Sequence, residues 1–483
     1  MKKLIRNLTD SGIIYAFGIT GSGASLKLIA GLQRAGVEYY PVSHEAAAAF
    51  MAGSCCRDGI SRAAAITIKG PGFINLMPGI VSNYYENRPA LTISESYSQD
   101  TPLFKTHKRL NHELICQSVC KAYGFSSDKG VVSRLLRKAQ KDPPGPVHLD
   151  LVGDFNTVED NSPKIEDKKL PIDKQYIHIL KEYLQNSKCP CLILGSLAAR
   201  LNFDWNLIKV PVVTTAAAKG CYDETSIYSA GVITGEVTKF SPESSALYKS
   251  DLIIAIGLRN TEVIKIESYS VPLVMIDNIG LDLQEGFGPD LLIINNDLSG
   301  IFTILLESLA SKSWGADILA KQKYDIYKPL LSEQWLTAKA FNALQKNMVD
   351  ETILVLDTGF FCTVGETIWK AKSSNLFCGS SIGRFMGSAI PTAIGVSISS
   401  KDNPVLCVMG DGGISPYFGE ISFAVKEQLP IVFVLMTDGR YGSVAAFSPD
   451  DVETERAVNI GVDSWCDAIR GLNCEAIQAT NEI

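Results

Sequence analysis

No apolar run reaches the roughly 18–20 residues that a membrane-spanning helix needs, so no membrane span is expected. The opening stretch Met1-Lys2-Lys3-Leu4-Ile5-Arg6-Asn7 loses its apolar character too early for a secretory signal. There is no basic excess. The 45 Lys and Arg are outnumbered by 52 Asp and Glu, giving a net charge of −7. No nucleic-acid partner is therefore expected, and any anion site must be built locally. The twelve cysteines are scattered, often inside apolar runs, and form no disulfide framework. Cys116/Cys120 and Cys189/Cys191 invite a metal reading, but no second pair at zinc-like spacing completes either. Reduced thiols in a cytoplasmic protein are expected. Low-complexity tracts and short tandem repeats are also missing.

What is present is ample apolar surface: 46% of the 483 residues are hydrophobic and 20% charged. Global disorder is excluded, and the length suggests about three domains. Short β-rich runs such as Ile13–Phe17, Ala63–Ile68 and Val147–Leu151 alternate with helical patterns. Continuous apolar strands between helices imply parallel sheets buried on both faces, the α/β class. Residues 156–173 are rich in Asp, Glu, Lys and Pro and read as a linker. Residues 313–330 are polar without a strand pattern and read as a second one. The expected blocks are therefore 1–155, 174–312 and 331–483. In the second, strands are expected at Cys191–Leu194, Val210–Thr214, Leu252–Ile256 and Leu273–Ile276. In the third, the expected order begins with helix Glu333–Gln345 and strand Ile353–Leu356. Strand Val405–Val408, helix Phe418–Glu427 and strand Ile431–Met436 follow.

The sharpest chemical signal lies in the third block. Strand Val405–Met409 runs into Gly410-Asp411-Gly412-Gly413, and strand Ile431–Met436 runs into Thr437-Asp438-Gly439-Arg440. Two carboxylates thus stand just past the carboxyl ends of two parallel strands, the edge where open α/β sheets bind ligands. Glycines beside Asp411 let backbone N–H groups approach a phosphate. Two carboxylates and a carbonyl suit a hard cation such as Mg²⁺. Taken alone, Gly-Asp-Gly is equally well a simple turn.

Together the two strand ends resemble the cofactor motif of thiamine-diphosphate enzymes, which opens with Gly-Asp-Gly and closes with Asn-Asn. Thr437-Asp438 replaces the closing pair here. Three further segments resemble the acetolactate synthase and benzoylformate decarboxylase group: Arg384–Gly395, Val42–Ala52 and Lys69-Gly70-Pro71-Gly72-Phe73-Ile74-Asn75. In the middle block, Thr214–Gly220 and Ile254–Asn260 are similar to the central domain of that group.

The resemblance implies three doubly wound parallel-sheet domains: pyrimidine-binding, central and diphosphate-binding. It implies that Glu45 is catalytic and bonds the cofactor pyrimidine. Met386 lies under the thiazolium, and Gly410, Asp411, Gly412, Gly413, Asp438, Arg440 and Gly442 surround the diphosphate. The Asp411 and Asp438 side chains and the Arg440 carbonyl hold Mg²⁺, and Glu420 matches an acidic position of the next helix. Substrate-pocket candidates are Gly21, Lys69 and Phe447; His107 and Lys108 fall roughly where relatives carry a pocket glutamine.

The implied activity is decarboxylation or carboligation of a 2-oxo acid through an enamine, with an aldehyde or second 2-oxo acid as acceptor. Glu45 and the Asp411/Asp438 site would come from different subunits of a homodimer or homotetramer. Two alternatives stand beside it. One is an acetolactate synthase catalytic subunit holding FAD near Arg259, although the middle block has no Gly-x-Gly-x-x-Gly. The other is a catalytically silent scaffold or regulatory subunit, because relatives continue further past the metal-binding strand. On that count a final strand and helix of the third domain are expected to be missing.

Overall fold

The computed structural model describes the chain except residues 99, 154–170, 234–240, 242–245, 267–268, 333–335, 447–451, 463 and 480–483. Three sheets carry the fold. The first contains β1 (Tyr15–Gly18), β2 (Glu38–Pro41), β3 (Ala63–Thr67), β4 (Leu91–Glu95), β5 (Ala122–Phe125) and β6 (Val147–Leu151). Its order is β2-β1-β3-β4-β6-β5. The second contains β7 (Pro190–Leu194), β8 (Val212–Thr214), β9 (Ser229–Val232), β10 (Leu252–Ile256), β11 (Leu273–Asp277) and β12 (Leu291–Ile294). Its order is β12-β11-β10-β7-β8-β9. The third contains β13 (Ile353–Leu356), β14 (Phe377–Gly379), β15 (Val405–Gly410) and β16 (Ile431–Met436), in the order β14-β13-β15-β16. Neighbouring strands run parallel, as in Tyr15↔Ala63 and Gly410↔Met436. This is the three-sheet, doubly wound parallel α/β architecture that the alternation of apolar runs implies.

Two compact units are distinguished. One comprises Met1–Lys164, Val355–Gly359 and Gly383–Ile483; the other comprises Ile165–Leu354 and Phe360–Ile382. In the second unit, alternate residues of each central strand supply two separate cores. Leu192, Leu194, Ile254 and Ile256 face one, and Cys191, Ile193, Ile253 and Ala255 face the other. Both faces of that sheet are therefore covered, as parallel sheets require.

In the first unit the helix Glu45–Ser54 is buried along its whole length. Its run of alanines gives it no polar face, and a helix apolar all round belongs in a core. Small residues let neighbours approach. A Cβ on Gly395 would lie 2.5 Å from the Met51 carbonyl oxygen, and one on Gly79 2.7 Å from that of Ala46.

One expectation needs correction. Strand β16 is not buried on both faces: it is the edge strand of its sheet among the described residues, and Val432 is 48% exposed. The stretch 313–330 is mostly the helix Ala316–Leu330, with Pro329 inside its last turn. A short helix, Trp465–Arg470, follows β16 along the chain. The 156–173 stretch lies largely outside the described residues.

Candidate active site

Glu45 opens a helix at the turn that follows β2. His44 caps that helix, its Nδ1 accepting from the Ala46 N–H at 3.1 Å, which leaves the Glu45 side chain at the helix N-terminus. A carboxylate there also gains from the macrodipole. Asn75 Nδ2 donates to Glu45 Oε2 at 3.0 Å. The other oxygen faces Gly72, where an added Cβ would lie 3.3 Å away. Among the described residues no donor is recorded for that oxygen. The Lys69–Asn75 stretch therefore supplies both a hydrogen bond to the carboxyl and an open side next to it.

The second cluster sits at the carboxyl ends of β15 and β16. Asp411 is buried and begins the turn after β15. Its Oδ1 accepts from Thr437 Oγ1 at 2.6 Å and from Trp465 Nε1 at 2.7 Å. Its Oδ2 accepts from the backbone N–H groups of Asp438 at 2.9 Å and Gly439 at 3.2 Å. Asp438 is exposed beside it and accepts from the Arg440 N–H at 3.0 Å. The Arg440 guanidinium is engaged by Glu455. Glycines let the backbone come close to its neighbours here. A Cβ on Gly412 would lie 2.7 Å from the Tyr441 ring and 2.8 Å from the Met386 sulfur; on Gly442 it would lie 2.9 Å from Asp438 Oδ2. Met386 is 42% exposed, so it is not core filling.

Two residues that the sequence did not single out as important hold these clusters. Asp357, just past β13, accepts from the Thr358 and Gly387 N–H groups at 2.7 and 3.0 Å and lies against Gly413. Burial pushes its carboxyl up to about 7, against the pull of those donors. Glu420, noted only as a motif match, accepts from the Ser43 and His44 N–H groups at 2.9 and 3.1 Å and so fixes the turn leading into Glu45. Burial pushes it up to about 7 as well. No pattern along the chain could reveal that bond, since its partners are more than 370 residues apart.

The remaining candidates fall as follows. Lys69 Nζ donates to Glu95 Oε2 at 3.1 Å and sits over the Tyr97 ring. Glu95 Oε1 also accepts from the Ser25 N–H and hydroxyl, at 2.8 and 2.7 Å. Burial would raise the Glu95 carboxyl, but Ser25 and Lys69 outweigh it and hold the group below the usual range. Gly21 abuts Ile68, the neighbour of Lys69. Lys108 lines a small cavity with Gly70, Pro71, Asn75 and Arg109, and His107 is exposed nearby. Phe447 lies outside the described residues. In the second unit Arg259 is buried against Asp277, donating through Nε at 3.0 Å and Nη2 at 2.7 Å. There the Ser196 and Arg259 N–H groups, at the ends of β7 and β10, are both taken by Glu262.

Residues 1–112 match the thiamine pyrophosphate enzyme N-terminal TPP binding domain, and residues 357–464 match the C-terminal TPP binding domain. The chain belongs to the thiamine pyrophosphate enzymes. Its similarity extends across the domains. The acetolactate synthase large subunit of Porphyra purpurea is 24% identical over 91% of this chain and 80% of its own length. Isozyme 3 large subunit of acetolactate synthase from Escherichia coli (strain K12) is 23% identical over 91% and 82%. The catabolic acetolactate synthase of Raoultella terrigena is 24% identical over 92% and 83%. The chain is thus an enzyme of the acetolactate synthase-like group, and its cofactor is thiamine diphosphate.

The residues fit that cofactor. The Asp411 carboxylate is buried without a basic side chain bonded to it among the described residues, so it suits a cation beside a diphosphate. Gly412 and Gly442 bring the backbone against Tyr441, Met386 and the Asp438 carboxylate, where a side chain would clash. Among the described residues no helix is long and apolar enough to cross a membrane.

Proposed function

We propose that this enzyme decarboxylates a small 2-oxo acid, or joins it to a second carbonyl compound, with Glu45 as its acid–base residue. The observation that carries this reading is the Glu45 carboxylate, bonded on one oxygen by Asn75 at 3.0 Å and open on the other beside Gly72. Bound thiamine diphosphate supplies the electron sink for making or breaking the bond next to the 2-oxo carbonyl. Glu45 holds a proton at its open oxygen, and Asn75 fixes the carboxyl's orientation. Glu420 keeps the Ser43-His44 turn in place. Asp411, Asp438 and the Arg440 carbonyl hold Mg²⁺, and Gly410, Gly412, Gly413 and Gly442 admit the diphosphate. Met386, half exposed beside Gly412, would lie against the cofactor's thiazolium. Lys69 orients a substrate carboxylate, its ammonium aimed by Glu95.

The 2-oxo acid class is supported by the relatives, each named an acetolactate synthase. We further read the chain as three domains, 1–155, 174–312 and 331–483, working as a homodimer or homotetramer in the cytoplasm. None of the twelve cysteines is joined in a disulfide, which suits a reducing compartment. No flavin is assigned to the central domain, because Glu262 already takes the strand-end N–H donors that a dinucleotide phosphate would use. Calorimetric titration with thiamine diphosphate, with and without Mg²⁺, tests the reading. Metal-dependent saturable binding followed by turnover of a 2-oxo acid is expected. Absence of binding by the folded enzyme would remove the proposed roles of Asp411 and Asp438.

A further inference from the structure

The first sheet carries a cluster that the proposed reaction does not use. His148 and Asp150 lie on β6, Ser94 on β4, and His112 on the short helix His112–Cys116. All four are buried. His112 Nδ1 lies 2.7 Å from Asp150 Oδ1, and His148 Nε2 lies 3.2 Å from the same oxygen. Ser94 Oγ completes the group, 3.3 Å from His112 Nδ1, 2.9 Å from His148 Nε2 and 3.2 Å from Asp150 Oδ1. Of the six separations among four atoms, five thus fall between 2.7 and 3.3 Å. One ligand atom each from His112, His148 and Asp150 lies within 4.8 Å of the others.

Proton counting limits how many of these contacts are hydrogen bonds. Asp150 Oδ1 brings no proton, and each of the other three atoms brings at most one. Five close contacts therefore share at most three protons. At His148 the Thr92 hydroxyl lies within reach of both the Val147 carbonyl, at 3.2 Å, and the imidazole Nδ1, at 2.7 Å. In the tautomer protonated at Nδ1, the Nε2 lone pair points into the cage. Asp150 Oδ2 is held by the Tyr123 hydroxyl at 2.5 Å. Supporting hydrogen bonds on the outer atoms of a histidine and a carboxylate are what orient metal ligands elsewhere.

We propose that Ser94, His112, His148 and Asp150 form a structural site for a divalent transition ion of the zinc class. Two imidazoles and a carboxylate suit that ion better than Mg²⁺, which prefers oxygen ligands alone, and the Ser94 hydroxyl stands in the fourth position. A tetrahedron of ligands at zinc distances has edges of roughly 3.3 Å, against 2.7–3.3 Å for the five separations above. The site is closed and has no open position, so its role is structural. Phe73 transmits it. Its ring stacks on His112 at 3.8 Å, and it belongs to the helix Pro71–Asn75 that presents Asn75 to Glu45. Sequence spacing drew attention to Cys116, but the fold gathers histidines and an aspartate instead.

The test uses the full chain and needs no turnover, so it stands or falls apart from the proposed reaction. Protein expressed with added Zn²⁺ and purified without chelator is analysed for metal by mass spectrometry. A stoichiometric transition ion that survives dialysis against Mg²⁺ is expected. Refolding with Co²⁺ is expected to give the intense visible absorption of a tetrahedral cobalt centre. Both signals should be lost in His148→Gln and in His112→Gln. Should those variants fail to fold, the wild-type chain still decides. Refolded with Zn²⁺ or Co²⁺, it must hold the ion and melt higher than when refolded without. No ion and no rise in Tm would overturn the proposal, as would a cobalt band that persists in folded histidine variants.

Discussion

Trp465 donates its indole N–H to Asp411 Oδ1 at 2.7 Å, on the carboxylate proposed to hold the metal. With Thr437 on the same oxygen and two backbone N–H groups on the other, all four acceptor positions of Asp411 are used. A cation that binds Asp411 must displace one donor. The backbone groups belong to the turn itself, so a side-chain donor gives way, the Thr437 hydroxyl or the indole. Trp465→Phe removes this competitor, and its ring still packs against Phe418. The variant is expected to bind thiamine diphosphate with Mg²⁺ about three- to tenfold tighter, given the worth of one charge-assisted hydrogen bond. Wild-type tryptophan fluorescence should change on loading, and that change should shrink in the variant. Equal affinities by calorimetry would show that Trp465 does not compete.

Asp411→Ala carries the opposite expectation. It removes a metal ligand and leaves the Trp465 and Thr437 donors without their acceptor. Metal-dependent cofactor affinity should fall by about 100-fold or more, as losses around metal ligands do. Unchanged affinity in titrations with Mg²⁺ would separate Asp411 from the cofactor.

Glu45→Gln keeps the size of the side chain and can still accept from Asn75 Nδ2. Cofactor affinity should therefore change little. Turnover should fall by about 100-fold or more, because the amide cannot exchange a proton as a carboxyl does. Proton exchange on the bound cofactor, followed by NMR, should slow in step. Wild-type exchange in the variant would take Glu45 out of the proton path.

Glu420 makes stability depend on pH. Burial raises its carboxyl to about 7, and its Oε2 is buried with no partner among the described residues. The folded value lies above the unfolded one, so the native state holds the extra proton between them. Its contribution is fully present below the unfolded value near 4.5, is lost as pH rises toward about 7, and then levels off. The full span is on the order of 3 kcal/mol. Asp357 acts in the same direction. Denaturant midpoints at about pH 5 and about pH 8 should differ less in Glu420→Gln than in the wild type. An undiminished difference would assign the effect elsewhere.

Lys69→Ala should raise KM for the 2-oxo acid about tenfold, the loss of one screened carboxylate contact, with kcat changed less. Glu95, left without its cation, should rise toward the ordinary carboxylate range. An unchanged KM would leave Lys69 as a partner of Glu95 only.

Much of this was legible along the chain. Gly410-Asp411-Gly412-Gly413 and Thr437-Asp438 could be placed at strand ends because continuous apolar runs mark buried parallel strands and glycines mark where they stop. Glu45 could be placed because it heads an alanine-rich helix. These are local signals of period, propensity and turn chemistry, and the sequence by itself determined the α/β class and the strand-end carboxylates, and through the resemblance of its motifs the cofactor family. Other features depend on partners far apart in sequence. Glu420 reaches Ser43, Trp465 reaches Asp411, Lys69 reaches Glu95, and Ser94, His112, His148 and Asp150 converge. Each link joins side chains that only the stacking of strands and helices brings within hydrogen-bond range. The exposure of β16 is likewise a property of its place at the sheet edge, since the same apolar run would read identically in the middle. Tertiary structure alone decided those, because a hydrogen bond or a burial depends on distance in space, and the order of residues records only distance along the chain.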